Sequence, residues 1–190
     1  MYILNKLLFI VFLGSFSNGD LDIAAYNYID NYKELAIIEM HRTGVPASIK
    51  LAQALHESHF GKSDLAKQAK NHFGIKCKSY WKGYTYYHKD DDLDPQGNLI
   101  NSCFRSYESV FDSYIDHSNF LSQTAHYLHL FNISKTDYKA WAHGLQNAGY
   151  ATDPNYAKKL IKFIEKYNLS KLDNAADPFK SLSNRINNQK

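Results

Sequence analysis

Residues 52–66 read AQALHESHFGKSDLA. A single glutamate, Glu57, stands between His56 and His59 at the end of an apolar run, just before Gly61. Three kinds of chemistry suit such a group: metal ligation, proton donation, or solvation at a surface. Zinc-protease helices need histidines at i and i+4, on one face, with a glutamate after the first. His56 and His59 are at i and i+3, so that motif is not present, even with His72, His88 or an aspartate run to complete a ligand set. The run DDDLDPQGN at residues 90–98 also fails as a calcium loop. Pro95 occupies the glycine position, and no glutamate follows at position 12. No metal and no cofactor are expected.

Proton donation makes a definite demand. Breaking a glycosidic bond requires a proton on the leaving oxygen while positive charge develops on the sugar, and a carboxylic acid held neutral supplies it. The C-terminal end of a helix disfavours negative charge, and Phe60 nearby would add desolvation, so both features favour a protonated Glu57. Taken alone, they do not separate a general acid from a surface glutamate.

The rest of the chain has to position this residue. Its 190 residues fit one domain with a tail. A formal charge of +3 is too weak to point to nucleic acid. Fifteen tyrosines and eleven phenylalanines suit a core, and also suit stacking on sugar rings. Residues 1–17 read as a secretory signal, with Lys6 as the basic region, an apolar stretch of about ten residues, and small Ser15 and Ser17 before the cut. The apolar stretch is too short for a comfortable membrane span. With export, Cys77 and Cys103, the only two cysteines, are expected to form a disulfide rather than remain as two buried thiols.

Helical periodicity runs from about Asp22 to Gly44 through Ile29, Tyr32, Leu35, Ala36 and Met40. Pro46 opens a second helix that runs to Phe60 and is stopped by Gly61, and Ser63 caps a short third one. NHFGIKCK, WKGYTYYHK and NLINSCFRSY are β-branched and aromatic, with polar turn residues between the last two, and predict an inserted hairpin. Ser109 and Asp112 form a capping box for the next helix. Thr136 or Asp137 begins another, ending before Gly149. Asp153-Pro154 opens the last. From Ser170 the chain reads as a loose polar tail. The fold class is therefore α+β, mainly α: a helical core with a β-hairpin lobe.

Several segments in order resemble one family. PASIKLAQALHESHFGKSDLA is similar to its helix ending in a catalytic glutamate. NHFGIK matches its Asn-x-Phe-Gly-Ile-Lys signature. Trp81-Lys82-Gly83 opens a hairpin, CFRSYES resembles its Phe-Arg-x-Tyr segment, and GLQNAGYATDPNYAKKL resembles its Ala-Gly-Tyr-Ala-Thr-Asp-Pro-x-Tyr run. The family is glycoside hydrolase family 73, the peptidoglycan endo-β-N-acetylglucosaminidases with a lysozyme-like core, and the likeness covers about residues 32–169.

The resemblance implies that Glu57 is the general acid and Tyr150 an active-site tyrosine. The family's second acid lies on the hairpin, typically as a glutamate. This hairpin has none, and counting back from Phe104-Arg105 leads to Asp91, with Asp90 and Asp92 as alternatives. His59 also departs from the family, which commonly has glycine there. Asn71, Phe73, Trp81, Tyr86 and Arg105 are the expected substrate-binding residues, with Tyr84 and Tyr87 further hairpin candidates. Arg105 would meet a substrate carboxylate, or else Glu108. The implied partner is the glycan strand of peptidoglycan, met by a monomer, secreted or periplasmic, with no membrane attachment after signal cleavage. A muramidase, a lytic transglycosylase and a non-catalytic peptidoglycan-binding protein are the competing readings.

Overall fold

A computed structural model describes residues 18–180, except for the side chains of Asn18 and residues 90–93. The leader read at residues 1–17 lies outside the described residues.

Helix α1, Asn18–Thr43, buries Ala25, Tyr28, Ile29, Ala36 and Met40, the one-face spacing of an amphipathic helix. It is closed by Gly44 at φ 89°. Pro46 then caps rather than begins α2, Ala47–Glu57. Every residue of α2 from Ala47 to Leu55 is buried, which makes it the central helix. It packs against α1, against α6 (Tyr156–Lys166) and against a C-terminal 3-10 helix, Leu169–Asn174.

One line of α2 is polar. Lys50, Gln53 and Glu57 are three and four residues apart and so share a face. Lys50 is fully buried, and its Nζ donates to the Tyr114 carbonyl at 2.9 Å and to His117 Nδ1 at 3.0 Å. The expected run to Phe60 stops at Glu57. Ser58 ends it, because its Oγ donates to the Ala54 carbonyl at 2.5 Å and accepts from the Gly61 amide at 2.7 Å, closing a turn. His59, Phe60 and Gly61 are consecutively left-handed, at φ 50°, 60° and 75°. Gly61 is needed twice over, since a β-carbon there would also lie 3.1 Å from the Tyr28 ring.

Ser63 caps α3, Asp64–Ala69, as the sequence predicts, with Oγ accepting from the Ala66 amide at 3.2 Å. Strands β1, Thr85–Leu93, and β2, Leu99–Arg105, pair antiparallel as the inserted hairpin. NHFGIKCK adds no strand, only a bridge from Lys76 to Phe104. Cys77 and Cys103 form the disulfide at the hairpin base, beside a hydrogen bond from the Cys77 amide to the Cys103 carbonyl at 2.8 Å.

Helix α4, Val110–Gln123, carries the reciprocal Ser109–Asp112 capping box. A 3-10 helix, Ala125–Asn132, leads to α5, Tyr138–Asn147, which Asp137 caps. Two expectations fail in the last third. Helix α6 starts at Tyr156, not at Pro154, because the Asp153 side chain accepts from the Asn155 amide at 2.9 Å and its carbonyl from the Tyr156 amide at 3.0 Å, making a turn first. The loose tail does not begin at Ser170 either. Asp173 is fully buried and its carboxylate accepts from the Ser48 amide at 2.8 Å and the Ser48 hydroxyl at 2.6 Å, so it satisfies the start of α2. Polar composition concealed it: a buried carboxylate reads like a solvated one until its partner, 125 residues away, is known.

Candidate active site

The end of α2 delivers Glu57 into a cleft of about 280 Å³ between the helical body and the hairpin, walled by Leu65, Gly74, His88, Lys89 and Phe104. Glu57 is half-buried there. Tyr156, from the first turn of α6, donates its hydroxyl to Glu57 Oε1 at 2.8 Å and accepts from Gln53 Nε2 at 3.0 Å. Burial, then the Glu57 charge, pushes the Tyr156 hydroxyl well above the usual tyrosine range, so it remains a donor. With Oε1 accepting from Tyr156, a proton on Glu57 is carried by Oε2. A β-carbon on Gly74 would lie 3.9 Å from that oxygen, so glycine leaves its approach open.

Tyr150 stacks on Tyr156, ring centroids 5.6 Å apart and 18° from parallel, and donates to the Phe73 carbonyl at 3.3 Å. Burial, then the Glu57 charge, raises its pKa well above normal. Glu57 and Tyr150 thus share one electrostatic environment.

The expected substrate-binding residues divide. Asn71 is buried at 1% exposure and its amide organises the loop. Nδ2 donates to the carbonyls of Ile75 and Arg105 at 3.0 and 2.8 Å, while Oδ1 accepts from the Phe73 and Ile75 amides. Asn71 is therefore a positioning residue for Gly74. Phe73 is also buried, stacked on His117 with centroids 3.9 Å apart. Arg105 meets neither Glu108 nor open solvent. It is 3% exposed, with Nη1 on both Asp116 oxygens at 2.9 and 2.8 Å, Nη2 on the Tyr80 hydroxyl, and its guanidinium carbon 4.6 Å from the Trp81 ring centre. Trp81 is accordingly half-buried as the platform under Arg105. Asn71 and Arg105 share one cause: buried polar groups at the loop and hairpin base take most of their partners from within the fold.

Tyr86 is half-buried against Leu65, Ala69 and Phe104, and it shares a strand face with His88, which reaches the cleft. Tyr84 and Tyr87 are largely exposed. Asp91 lies on β1, and its side chain, with those of Asp90 and Asp92, is outside the described residues. The backbone there is irregular: Lys89 pairs with Asn101 and Leu93 with Leu99, so three aspartates span a ladder step that β2 crosses with Ile100 alone.

Sequence reasoning missed Tyr156 and Gln53. Their signals were present. Tyr156 closes the Ala-Gly-Tyr-Ala-Thr-Asp-Pro-x-Tyr run, and Gln53 stands one turn before Glu57 on the same helical face.

Comparison with known proteins places the chain by family and fold. Residues 33–169 match the glucosaminidase family model, described as mannosyl-glycoprotein endo-β-N-acetylglucosaminidase. The exo-glucosaminidase LytG of Bacillus subtilis is 35% identical over 159 residues, covering 82% of this chain and 56% of LytG. The peptidoglycan hydrolase FlgJ of Salmonella typhimurium is 32% identical over 136 residues, covering 69% of this chain and 42% of FlgJ. The chain thus spans about half the length of these relatives. Among solved structures, the catalytic domain of the Listeria monocytogenes autolysin Auto superposes with a TM-score of 0.66 at 29% identity, covering 78% of this chain and 87% of that one. The glycoside hydrolase domain of Salmonella typhimurium FlgJ gives 0.60 at 27%, covering 86% and 98%. The observed fold is the expected lysozyme-like helical core with an inserted hairpin. On the match over residues 33–169, this chain belongs to the glucosaminidase family.

Proposed function

We propose that the protein is a peptidoglycan hydrolase that cleaves the β-1,4 bond after N-acetylglucosamine in glycan strands, with Glu57 as general acid. The observation that carries this reading is the Tyr156–Glu57 hydrogen bond at the mouth of an open cleft. It fixes Oε1 and so orients the carboxyl group whose Oε2 would meet a glycosidic oxygen.

In this scheme a strand lies between the hairpin and the helical body. Glu57 Oε2 gives its proton to the leaving oxygen as the anomeric carbon gains positive charge. Tyr150, beside Tyr156, orients the reacting sugar's acetamide or the attacking water. The irregular aspartate segment of β1 adjoins the cleft residues His88 and Lys89. Asp91 is the proposed second acid, either activating water or steadying the cation, while the substrate's own acetamido group offers a route that needs only orientation. The name of LytG, an exo-glucosaminidase, supports the bond, and that of FlgJ, a peptidoglycan hydrolase, supports a wall substrate. The leader read at residues 1–17 supports action outside the membrane, and no helix among the described residues is long and apolar enough to cross one.

The test is to incubate the protein and its Glu57→Gln variant with purified peptidoglycan, reduce the products, and identify the new ends by mass spectrometry. Reduced GlcNAc ends that disappear in Glu57→Gln are expected, with a loss of at least about 100-fold. Reduced MurNAc ends would indicate a muramidase, anhydro ends a lytic transglycosylase, and wall binding without new ends a non-catalytic protein.

A further inference from the structure

A second cavity is larger than the one at Glu57. A groove of about 670 Å³ lies between α1 and the segment from Phe60 to Lys70. Helix α3 is the partition: Asp64 and Leu65 face the Glu57 cleft, while Ala66, Lys67 and Lys70 line the groove.

The groove has a definite chemistry. Its floor is aromatic and uncharged. Tyr28 and Tyr32 pack 4.6 Å apart beside His72, and the Tyr28 hydroxyl and His72 Nδ1 share a hydrogen bond of 2.6 Å. Among the described residues that line it, Lys62, Lys67 and Lys70 outnumber the one acidic residue, Asp20. From α1, Asn27 and Asn31 present exposed amides one turn apart, able to donate to and accept from a peptide backbone. Tyr32 and Phe60 add partly exposed apolar surface of the size of small side chains.

We infer that this groove binds the peptide stem of the substrate, its lysines receiving a free stem carboxylate while the glycan lies in the Glu57 cleft. The inference rests on the peptidoglycan reading above and assigns part of the substrate to a place outside the cleft. Scale agrees. A helix with side chains is roughly 10–12 Å across, and four or five extended residues span about 13–17 Å. A stem leaving a sugar in the cleft is thus long enough to cross α3. Net positive lining matches the carboxylates of the stem and has no use for neutral glycan.

The experiment uses the Glu57→Gln protein, titrated by calorimetry with stem-bearing glycan oligomers and with the same oligomers stripped of their stems. Stem-bearing oligomers are expected to bind about tenfold more tightly. Lys67→Glu with Lys70→Glu removes that preference and leaves binding of the stripped oligomers unchanged. Asn27→Trp, at an exposed position of α1, fills the groove without altering charge and does the same. A preference that survives both variants overturns the inference. So does competition by a glycerol-phosphate polymer that equals competition by free stem tetrapeptide. Failure of the catalytic reading is separate: it appears as no new GlcNAc ends from stripped glycan treated with the unsubstituted protein, whatever the binding preference.

Discussion

The hydroxyl of Tyr156 is 2.8 Å from Oε1 of Glu57, joining two residues 99 positions apart. Gln53 donates to the same hydroxyl from one turn earlier on α2, so the bond is directed from both ends. This relay gives the carboxyl group one orientation, and orientation is what a proton transfer in a transition state requires.

Removing the relay has a defined result. Tyr156→Phe keeps the ring stacked on Tyr150 but leaves Oε1 without its donor. The expected outcome is a fall in kcat of about 10- to 100-fold with KM within about twofold, since the glycan does not meet this buried hydroxyl. Steady-state kinetics on soluble glycan oligomers check it. A KM effect with kcat intact would assign Tyr156 to binding instead.

Gly74 tests the other oxygen. Its φ is 63°, and a β-carbon there would lie 3.9 Å from Glu57 Oε2. Gly74→Ala costs about 1 kcal/mol in backbone strain. The methyl also occupies the approach to Oε2, so activity falls by more than the loss of folded protein accounts for. Denaturant unfolding and initial rates on the same preparation separate the two effects.

The legible part of this molecule was local. Ser63 and Ser109 act within three residues of themselves, so their types and spacing were enough to predict those caps, and narrowed the next to Thr136 or Asp137, of which Asp137 is the cap. Glu57 could be singled out as a candidate because a helix end, a glycine and a family motif coincide there. Arg105 was misread because its true partner, Asp116, is on the next helix, while Glu108 is nearer in sequence. Asp173 was missed for the same reason: its partner is Ser48. Phe73 and Asn71 belong to a recognisable motif, yet a motif does not tell a residue that contacts substrate from one that builds the loop behind it.

Lys50 predicts a pH dependence. Burial pulls its pKa down to about 7, against partial opposition from Glu39. In the unfolded chain the lysine titrates near its ordinary 10.5. Between these values the unfolded chain holds a proton that the fold does not, so stability rises with pH across the window. Denaturant midpoints should rise from pH 7 to pH 9, by roughly 2 kcal/mol in free energy. Lys50→Met should flatten that rise. An equal slope in both proteins would mean that the buried amine keeps its proton, held by the Tyr114 carbonyl and His117.

The disulfide separates stability from catalysis. Cys77 and Cys103 are 26 residues apart, a loop whose closure contributes about 3 kcal/mol. For a domain of this size, replacing both with serine should lower Tm by roughly 10 °C. The hairpin base nevertheless keeps other ties: the Cys77 amide on the Cys103 carbonyl at 2.8 Å, and the Arg105 amide on the Ile75 carbonyl at 2.9 Å. The Asn71 amide and the Arg105–Asp116 pair hold the same region. The rate at 25 °C should therefore stay within about twofold, because the groups that set the cleft are positioned independently of the bridge. Thermal unfolding and kinetics on the double serine variant check both halves. A large loss of rate in protein that is still folded would show that the bridge itself aligns the hairpin over Glu57.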